Sequence, residues 1–346
     1  MSRINVNGLI GKEIAGCKLI RELGSGSSGV VYLAYQKSLD RNIACKLFSP
    51  EDEDGESYVD NLFNEARNAA KLAHPNVVQA LDVGTTDDGI NYFLMEYADG
   101  CSLENIRVET PENITVKFLL DLSIQLASAL NYAWEKFQMI HGDIKPGNML
   151  ICKNGNQLKL CDLGLARSGS DVQEDAMVTP LYAAPEIIRQ DSAADQRSDI
   201  YSFGVMLYEL ICGVAPFTGT LENIIDGHLN QTPPPVLQQN PDLDRELAAF
   251  IDRMIAKDPS ARPANWKEVR LFLGNLRKKM YDTPAAVANT AVAESASSGQ
   301  VIIEKSSWTA EMNNSTAGIN KKTWLLPAIL LGIMLIAVAA IILLVI

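Results

Sequence analysis

The chain has 346 residues, a formal net charge of −12 and 47% hydrophobic residues, which is room for a domain of about 250 residues with a further segment beside it. These values exclude a disulfide-stapled miniprotein and a wholly disordered chain. Six cysteines (Cys17, Cys45, Cys101, Cys152, Cys161, Cys212) without a CxxC pair suit a reducing compartment, and an acidic balance with no basic tract argues against nucleic acid as a partner. From the N-terminus, residues 17 to 97 alternate apolar and polar positions in the runs CKLIREL, VVYLAYQ, NIACKLF, VVQALDVG and INYFLMEYA, which read as strands. Between the third and fourth runs, YVDNLFNEARNAAKLA spaces Leu62, Phe63, Ala66, Ala69, Ala70 and Ala73 as one face of an amphipathic helix. Beyond residue 112 the periods become helical, as in ITVKFLLDLSIQLASALNYAWEKF, DIYSFGVMLYELICG and RELAAFIDRMIA. A small β-rich half is therefore expected before a larger α-rich half.

Residues 278–323 are rich in Ala, Ser, Thr and Asn and read as a flexible juxtamembrane linker, with Val301 to Ile303 its one apolar stretch. The 23 residues from Trp324 to Ile346 carry no charged side chain. At about 1.5 Å per residue they reach roughly 34 Å, enough for a transmembrane helix. Lys321 and Lys322 precede this run, so the expectation is a single-pass, C-terminally anchored membrane protein with its larger part in the cytoplasm and the lipid bilayer as a partner.

The first motif is Gly24-Ser25-Gly26-Ser27-Ser28-Gly29-Val30, a GxGxxGxV run. The same glycine spacing opens dinucleotide-binding βαβ units, but those need a helix directly after the glycines to aim its amides at pyrophosphate. Here Val30, Val31 and Tyr32 follow, so the context is strand, loop, strand. That suits a glycine flap over nucleotide phosphates; an ordinary hairpin with glycines in its turn stays open on this run alone. Lys46, in Ala44-Cys45-Lys46, lies on the third expected strand, where its ammonium would reach the α and β phosphates. Glu65 follows 19 residues later on the amphipathic helix as its ion-pair partner. Each alone reads as a surface charge; together, behind a glycine loop, they are more specific.

Further on stand His141-Gly142-Asp143-Ile144-Lys145-Pro146-Gly147-Asn148, Asp162-Leu163-Gly164 and Ala184-Pro185-Glu186. With these the sequence resembles the eukaryotic-type (Hanks-type) protein kinase family, in its serine/threonine branch, and bacterial membrane-anchored members in its overall pattern. The resemblance implies an α+β, two-lobed protein kinase fold, with a small β-rich N-lobe and a larger α-helical C-lobe, to which the transmembrane helix is added. The domain is placed at 17–277, with the N-lobe at about 17–97 and the C-lobe at about 98–277.

The resemblance also implies ATP and Mg²⁺ as cofactors, with Mn²⁺ as an alternative, and protein Ser/Thr hydroxyls as acceptors, including those of the chain itself. Asp143 matches the catalytic aspartate and Lys145 the lysine facing the γ-phosphate. Asn148 and Asp162 match the metal ligands. Leu23 to Val31 match the nucleotide flap, Met95 the residue behind the adenine, and Glu96, Tyr97 and Ala98 the hinge. Thr179 matches the substrate-docking segment, Glu186 and Arg262 a buried ion pair bracing it, and Asp199 a support of the catalytic loop.

Two positions depart from the pattern. Gly142 stands where the family usually has an arginine that binds activation-loop phosphate, and Asp171, Glu174 and Asp175 make that loop acidic. Phosphorylation of the loop is therefore expected not to be a strict requirement. Leu163 replaces the commoner phenylalanine conservatively. The anchor would concentrate copies on a membrane and favour self-association for phosphorylation between them. A nucleotide-binding pseudokinase or scaffold is the alternative, disfavoured by the presence of Lys46, Asp143 and Asp162. A small-molecule phosphotransferase is disfavoured by the segment Thr179 to Glu186 and by Arg262.

Overall fold

Period-two patterning with β-branched and aromatic residues builds the N-terminal part of the chain, between Glu13 and Glu96, into a six-stranded antiparallel sheet. Its strands are β1 (Glu13–Ile14), β2 (Cys17–Gly26), β3 (Gly29–Gln36), β4 (Arg41–Phe48), β5 (Ala80–Thr85) and β6 (Asn91–Glu96), in the order β1-β2-β3-β4-β6-β5. The computed structural model describes residues 8–26, 29–48, 63, 66–153, 157–163, 167–168, 179–190 and 194–282. These fall in the first of the chain's two units, Met1–Val287; the second, Ala288–Ile346, lies outside them.

The register sorts the two faces of the sheet. Val30, Tyr32 and Ala34 of β3, with Ile43, Cys45 and Leu47 of β4 and Leu94 of β6, join Ile14, Cys17, Leu19 and Ile90 in one core. Burial there pushes the Cys45 thiol up to about 12. On the opposite face, Val31 pairs with Lys46 and Lys46 with Phe93, while Leu33 pairs with Ala44 and Ala44 with Met95. A second core lies on this side. It joins Phe48, Phe93 and helical residues Ala66 and Ala69 to Ala129, Ala133, Met139 and Leu163 of the helical lobe that follows, and so fastens the two lobes together.

The C-lobe is organised around α2 (Val116–Phe137), which follows α1 (Leu103–Glu109). The Thr115 hydroxyl accepts from the Phe118 amide at its start, and Gln138, at φ 49°, closes its end with an amide bonded to Ala133 and Trp134 carbonyls. That stop delivers the chain into β8 (Met139–Ile140) and the loop 141–148. Two small sheets follow: β9 (Met149–Cys152) lies between β7 (Gly100–Ser102) and β10 (Leu158–Leu160), and β8 pairs with β11 (Arg167–Ser168). Helices α3 (Pro185–Ile188), α4 (Gln196–Cys212), α5 (Leu221–Asn230), α6 (Val236–Gln239), α7 (Arg245–Met254) and α8 (Trp266–Tyr281) complete the lobe. Their apolar faces meet α2 in a core that contains Leu126, Tyr201, Phe203, Ile251, Trp266 and Leu273.

The two-lobed α+β architecture is as expected from the sequence. The added membrane helix is corrected: among the described residues no helix is long and apolar enough to cross a membrane. The longest, α2, has 22 residues, but Lys117, Asp121, Glu135 and Lys136 interrupt it, and its apolar stripe is spent on the C-lobe core. The run 324–346 and most of the linker, 283–323, lie outside the described residues. The anchor, the bilayer as a partner and the membrane localisation are withdrawn with it, as is the argument that tethering concentrates copies. Ser27, Ser28, Glu65, Gly164 and the activation-loop residues Asp171, Glu174 and Asp175 also lie outside the described residues.

Candidate functional site

The loop after β8 carries three polar side chains that converge. Asp143, Lys145 and Asn148 stand where a turn of 3-10 helix, Pro146–Asn148, bends the chain into β9. Asn148, buried, donates from Nδ2 to the Asp143 main-chain oxygen at 2.8 Å and to its Oδ2 at 2.9 Å. Lys145 Nζ lies 2.6 Å from the same Oδ2. The Thr179 hydroxyl donates to Asp143 Oδ1 at 2.7 Å and accepts from Lys145 Nζ at 2.8 Å. A carboxylate fixed on one side by an amide and a lysine, and receiving an alcohol proton on the other, is arranged to accept a proton from a hydroxyl.

The backbone beneath is held by the start of α4. The Asp199 carboxylate, 2% exposed, accepts from the His141 amide at 2.7 Å and the Gly142 amide at 2.9 Å. His141 is itself buried; its Nδ1 accepts from the Asp143 amide at 3.2 Å, which leaves Nε2 to donate to the Cys161 carbonyl at 3.3 Å. Gly142 sits at φ 80°, in the left-handed region that costs an ordinary side chain about 1–2 kcal/mol. Glycine takes this turn without strain while its amide reaches Asp199.

The upper wall comes from the sheet. Lys46, 7% exposed, places Nζ 4.0 Å from Asp162 Oδ1 across the lobes and 5.1 Å from the centroid of the Phe48 ring. Asp162 is held at φ 62°, between buried Leu160 and Leu163. Val31 and Met95 share the face of Lys46, and Met95 also packs against the core that joins the lobes. Val30 does not: it is 4% exposed and belongs to the other core, because adjacent strand residues point to opposite faces. On β2, Gly24, Ser25 and Gly26 pair with Val31, Val30 and Gly29, and Leu23 is exposed beside them. Strand therefore follows the glycines, as a flap requires and a dinucleotide βαβ unit does not.

At the end of β6, the Glu96 amide donates to the Gln79 carbonyl at 2.9 Å, and half-buried Tyr97 and Ala98 follow. The Glu96 side chain is not turned to a ligand: it pairs with Lys159 of β10 at 2.7 Å, tying the hinge to the C-lobe. Sequence patterning gave no sign of this pair, since its partners lie 63 residues apart. Glu186 and Arg262 do meet, bidentately, at 2.7 and 2.9 Å. Burial raises the Glu186 pKa, but the Arg262 guanidinium and the Ser198 hydroxyl outweigh it and hold the carboxyl below its usual range.

Asp162 and Asn148 offer hard oxygen donors of the kind Mg²⁺ takes in small number beside phosphate oxygens. Among the described residues no group of three or more His, Cys, Asp or Glu is placed to hold a metal by itself. The two side chains fit a metal that arrives with a nucleotide.

A two-lobed α+β domain that presents a lysine and an aspartate beside a loop carrying Asp143, Lys145 and Asn148 is the architecture of protein kinases. Residues 17–270 match the protein kinase domain family. The chain is 35% identical over 261 residues to the serine/threonine-protein kinase PrkC of Bacillus subtilis (73% of this chain, 39% of that protein). It is 32% identical over 287 residues to a probable serine/threonine-protein kinase of Clostridium perfringens (81% and 41%). It is 35% identical over 261 residues to PknB of Mycobacterium tuberculosis (72% and 41%). The crystal structure of a double mutant of the Mycobacterium tuberculosis PknI kinase domain superposes with a TM-score of 0.57 at 24% identity, covering 77% of this chain and 98% of that one, which shows a common fold. The chain belongs to the protein kinase domain family. It spans about two-fifths of the length of those curated relatives.

Proposed function

We propose that the chain transfers the γ-phosphate of ATP to serine and threonine hydroxyls of proteins. The observation behind this reading is the Thr179 hydroxyl, which occupies between Asp143 Oδ1 and Lys145 Nζ the bonding position an acceptor alcohol would take. Asp143 orients the acceptor and takes up its proton, while Asn148 keeps the carboxylate from turning. Lys145 supplies positive charge beside the transferring group, where charge neutralisation is most of the catalysis. Lys46 binds nucleotide phosphates from the sheet, under a flap formed by Leu23 to Val31, and Glu65 is assigned as its partner. Glu96 and Ala98 present hinge backbone to the adenine, with Met95 behind it. A Mg²⁺ ion held by Asn148 and Asp162 would neutralise phosphate charge.

Incubation of the full chain with radiolabelled ATP and Mg²⁺, beside Asp143→Asn and Lys46→Met, tests the reading. Transfer to protein should fall by about 10²–10⁴-fold in Asp143→Asn, with phosphoserine or phosphothreonine as the wild-type product. Equal incorporation by all three proteins overturns it.

A further inference from the structure

The segment that carries Thr179 is anchored from behind by a histidine. His228 lies in the last turns of α5 and is completely buried. Both ring nitrogens are engaged: Nε2 lies 2.9 Å from the Leu181 carbonyl and Nδ1 lies 2.9 Å from the Tyr201 hydroxyl. A carbonyl only accepts, so Nε2 carries the proton, and Nδ1 accepts from Tyr201.

The surroundings hold this ring in one pose. Phe217 meets it edge-on at 5.0 Å and Tyr201 at 5.7 Å. A Cβ on Gly227 would come within 2.5 Å of the Phe217 ring, so the glycine is what admits Phe217 to the cluster. Lys257 Nζ sits 4.2 Å from the Phe217 centroid and donates at 2.7 Å to the carbonyls of Gly227 and His228, capping the end of α5 with a positive charge. It also donates to the Tyr201 oxygen at 3.4 Å. Arg262 also lies over the Tyr201 ring, 4.7 Å from its centroid. Complete burial, and secondarily the nearby Lys257 ammonium, keep the ring neutral, and its Nε2–H is directed at Leu181.

What the ring holds is main chain of the docking segment. Leu181 is two residues beyond Thr179, within the single turn Pro180–Tyr182. Thr179 is bonded to Asp143 and Lys145, and the Tyr182 hydroxyl donates to Glu209 at 2.6 Å. Those two contacts are made by side chains. The His228 bond fixes the backbone between them whatever side chain occupies position 181.

We propose that His228 is a positioning residue for the protein acceptor: its Nε2–H bond to the Leu181 carbonyl sets the docking segment Thr179–Tyr182 against Asp143. This rests on the kinase reading above. It assigns His228 no contact with ATP, so its loss should appear in the acceptor kinetics and not in the nucleotide kinetics.

The test measures kcat and KM of the full chain for ATP and for myelin basic protein as acceptor, in wild type, His228→Phe, His228→Gln and Tyr201→Phe. His228→Phe should lower kcat/KM for the acceptor by about tenfold while the KM for ATP stays within about twofold. Glutamine, whose amide nitrogen falls near the position of Nε2, should recover most of the loss. Tyr201→Phe keeps the ring and removes only the hydroxyl that bonds Nδ1; it should give a smaller shift of the same kind, and it decides the matter should His228→Phe fail to fold. Unchanged acceptor kinetics in the folded variants, or equal losses for ATP and acceptor, overturn the proposal. A wild-type chain that transfers no phosphate fails the kinase reading instead, so the two failures are distinct.

Discussion

Several buried charged side chains of the C-lobe have an oppositely charged partner: Asp143 with Lys145, Glu186 with Arg262, Lys159 with Glu96. His228 is buried differently, as a neutral ring, and this has a consequence for stability. Burial, and secondarily the Lys257 ammonium, lower its pKa to about 4 against the bond to Leu181, which raises it. In the unfolded chain the ring titrates near 6.5. Between these values the unfolded state binds a proton that the folded state refuses, so stability falls as pH drops from 6.5 toward 4. Lys257 behaves alike in a higher window: burial, Arg262 and Arg189 lower it to about 8, so stability rises as pH climbs from 8 to 10.5. The His228 contribution lost between pH 7.5 and pH 5 is about 2 kcal/mol. Urea unfolding of wild type and His228→Gln at both pH values checks this: the wild type should lose about 2 kcal/mol more than the variant on acidification. Equal losses would mean that the ring is protonated in the fold.

At the scale of elements, several pieces of this site are too short to stand alone. Helix α3 has four residues, well under what an isolated helix needs. It is held because Glu186 in its first turn meets Arg262, whose remaining donors reach the carbonyls of Ala256, Arg197 and Lys257. Arg262→Ala would leave a buried carboxylate without its cation, so a loss of about 3–5 kcal/mol in urea unfolding is expected. Arg262→Lys should recover only part, because a single ammonium cannot reproduce the two-pronged contact. The same shortness explains what was legible in the sequence. The long runs were: β2, β3, β4 and β6 fall on the alternating stretches, and α2, α4 and α7 on the periodic ones. In the fourth run, VVQALDVG, only the later part is strand; Val77 instead bridges to Leu160 and the Val78 amide donates to the Leu160 carbonyl. Strands of two to four residues, such as β1, β8 and β9, have too little pattern to read, and their pairing is decided by distant chain. Asp143, Lys145, Asn148 and Thr179 could be named from the sequence only through the resemblance to the protein kinase family, since Thr179 lies 36 residues from Asp143 and no spacing links them. His228 was not, since one histidine in a polar-apolar helix gives no signal until the fold brings Leu181 to it.

For the molecule as a whole, the proposed phosphoryl transfer draws on both lobes, built by different physics, because Lys46 of the sheet and Asp162 of the C-lobe face each other at 4.0 Å. The N-lobe sheet rests on cross-strand pairs, the C-lobe on helix faces packed around α2, and between them lies one modest apolar core. Leu163 belongs to that core with Phe93 of the sheet and Met139 of β8; it is 3% exposed and follows Asp162 directly. Leu126, 1% exposed on α2, lies wholly within the C-lobe core and serves as its control. Replacing either by alanine removes buried methyl groups and should cost about 2–5 kcal/mol. Their effects on catalysis should part. A cavity at 163 loosens both the joint between the lobes and the residue that faces Lys46, so kcat/KM should fall well beyond what the unfolded fraction explains. A cavity at 126 leaves the spacing of Lys46 and Asp162 alone, so activity should follow the folded fraction. Unfolding free energies measured beside kcat/KM, at a temperature where both variants are more than nine-tenths folded, separate the two cases. Equal specific activities there would show that the interlobe core contributes stability alone.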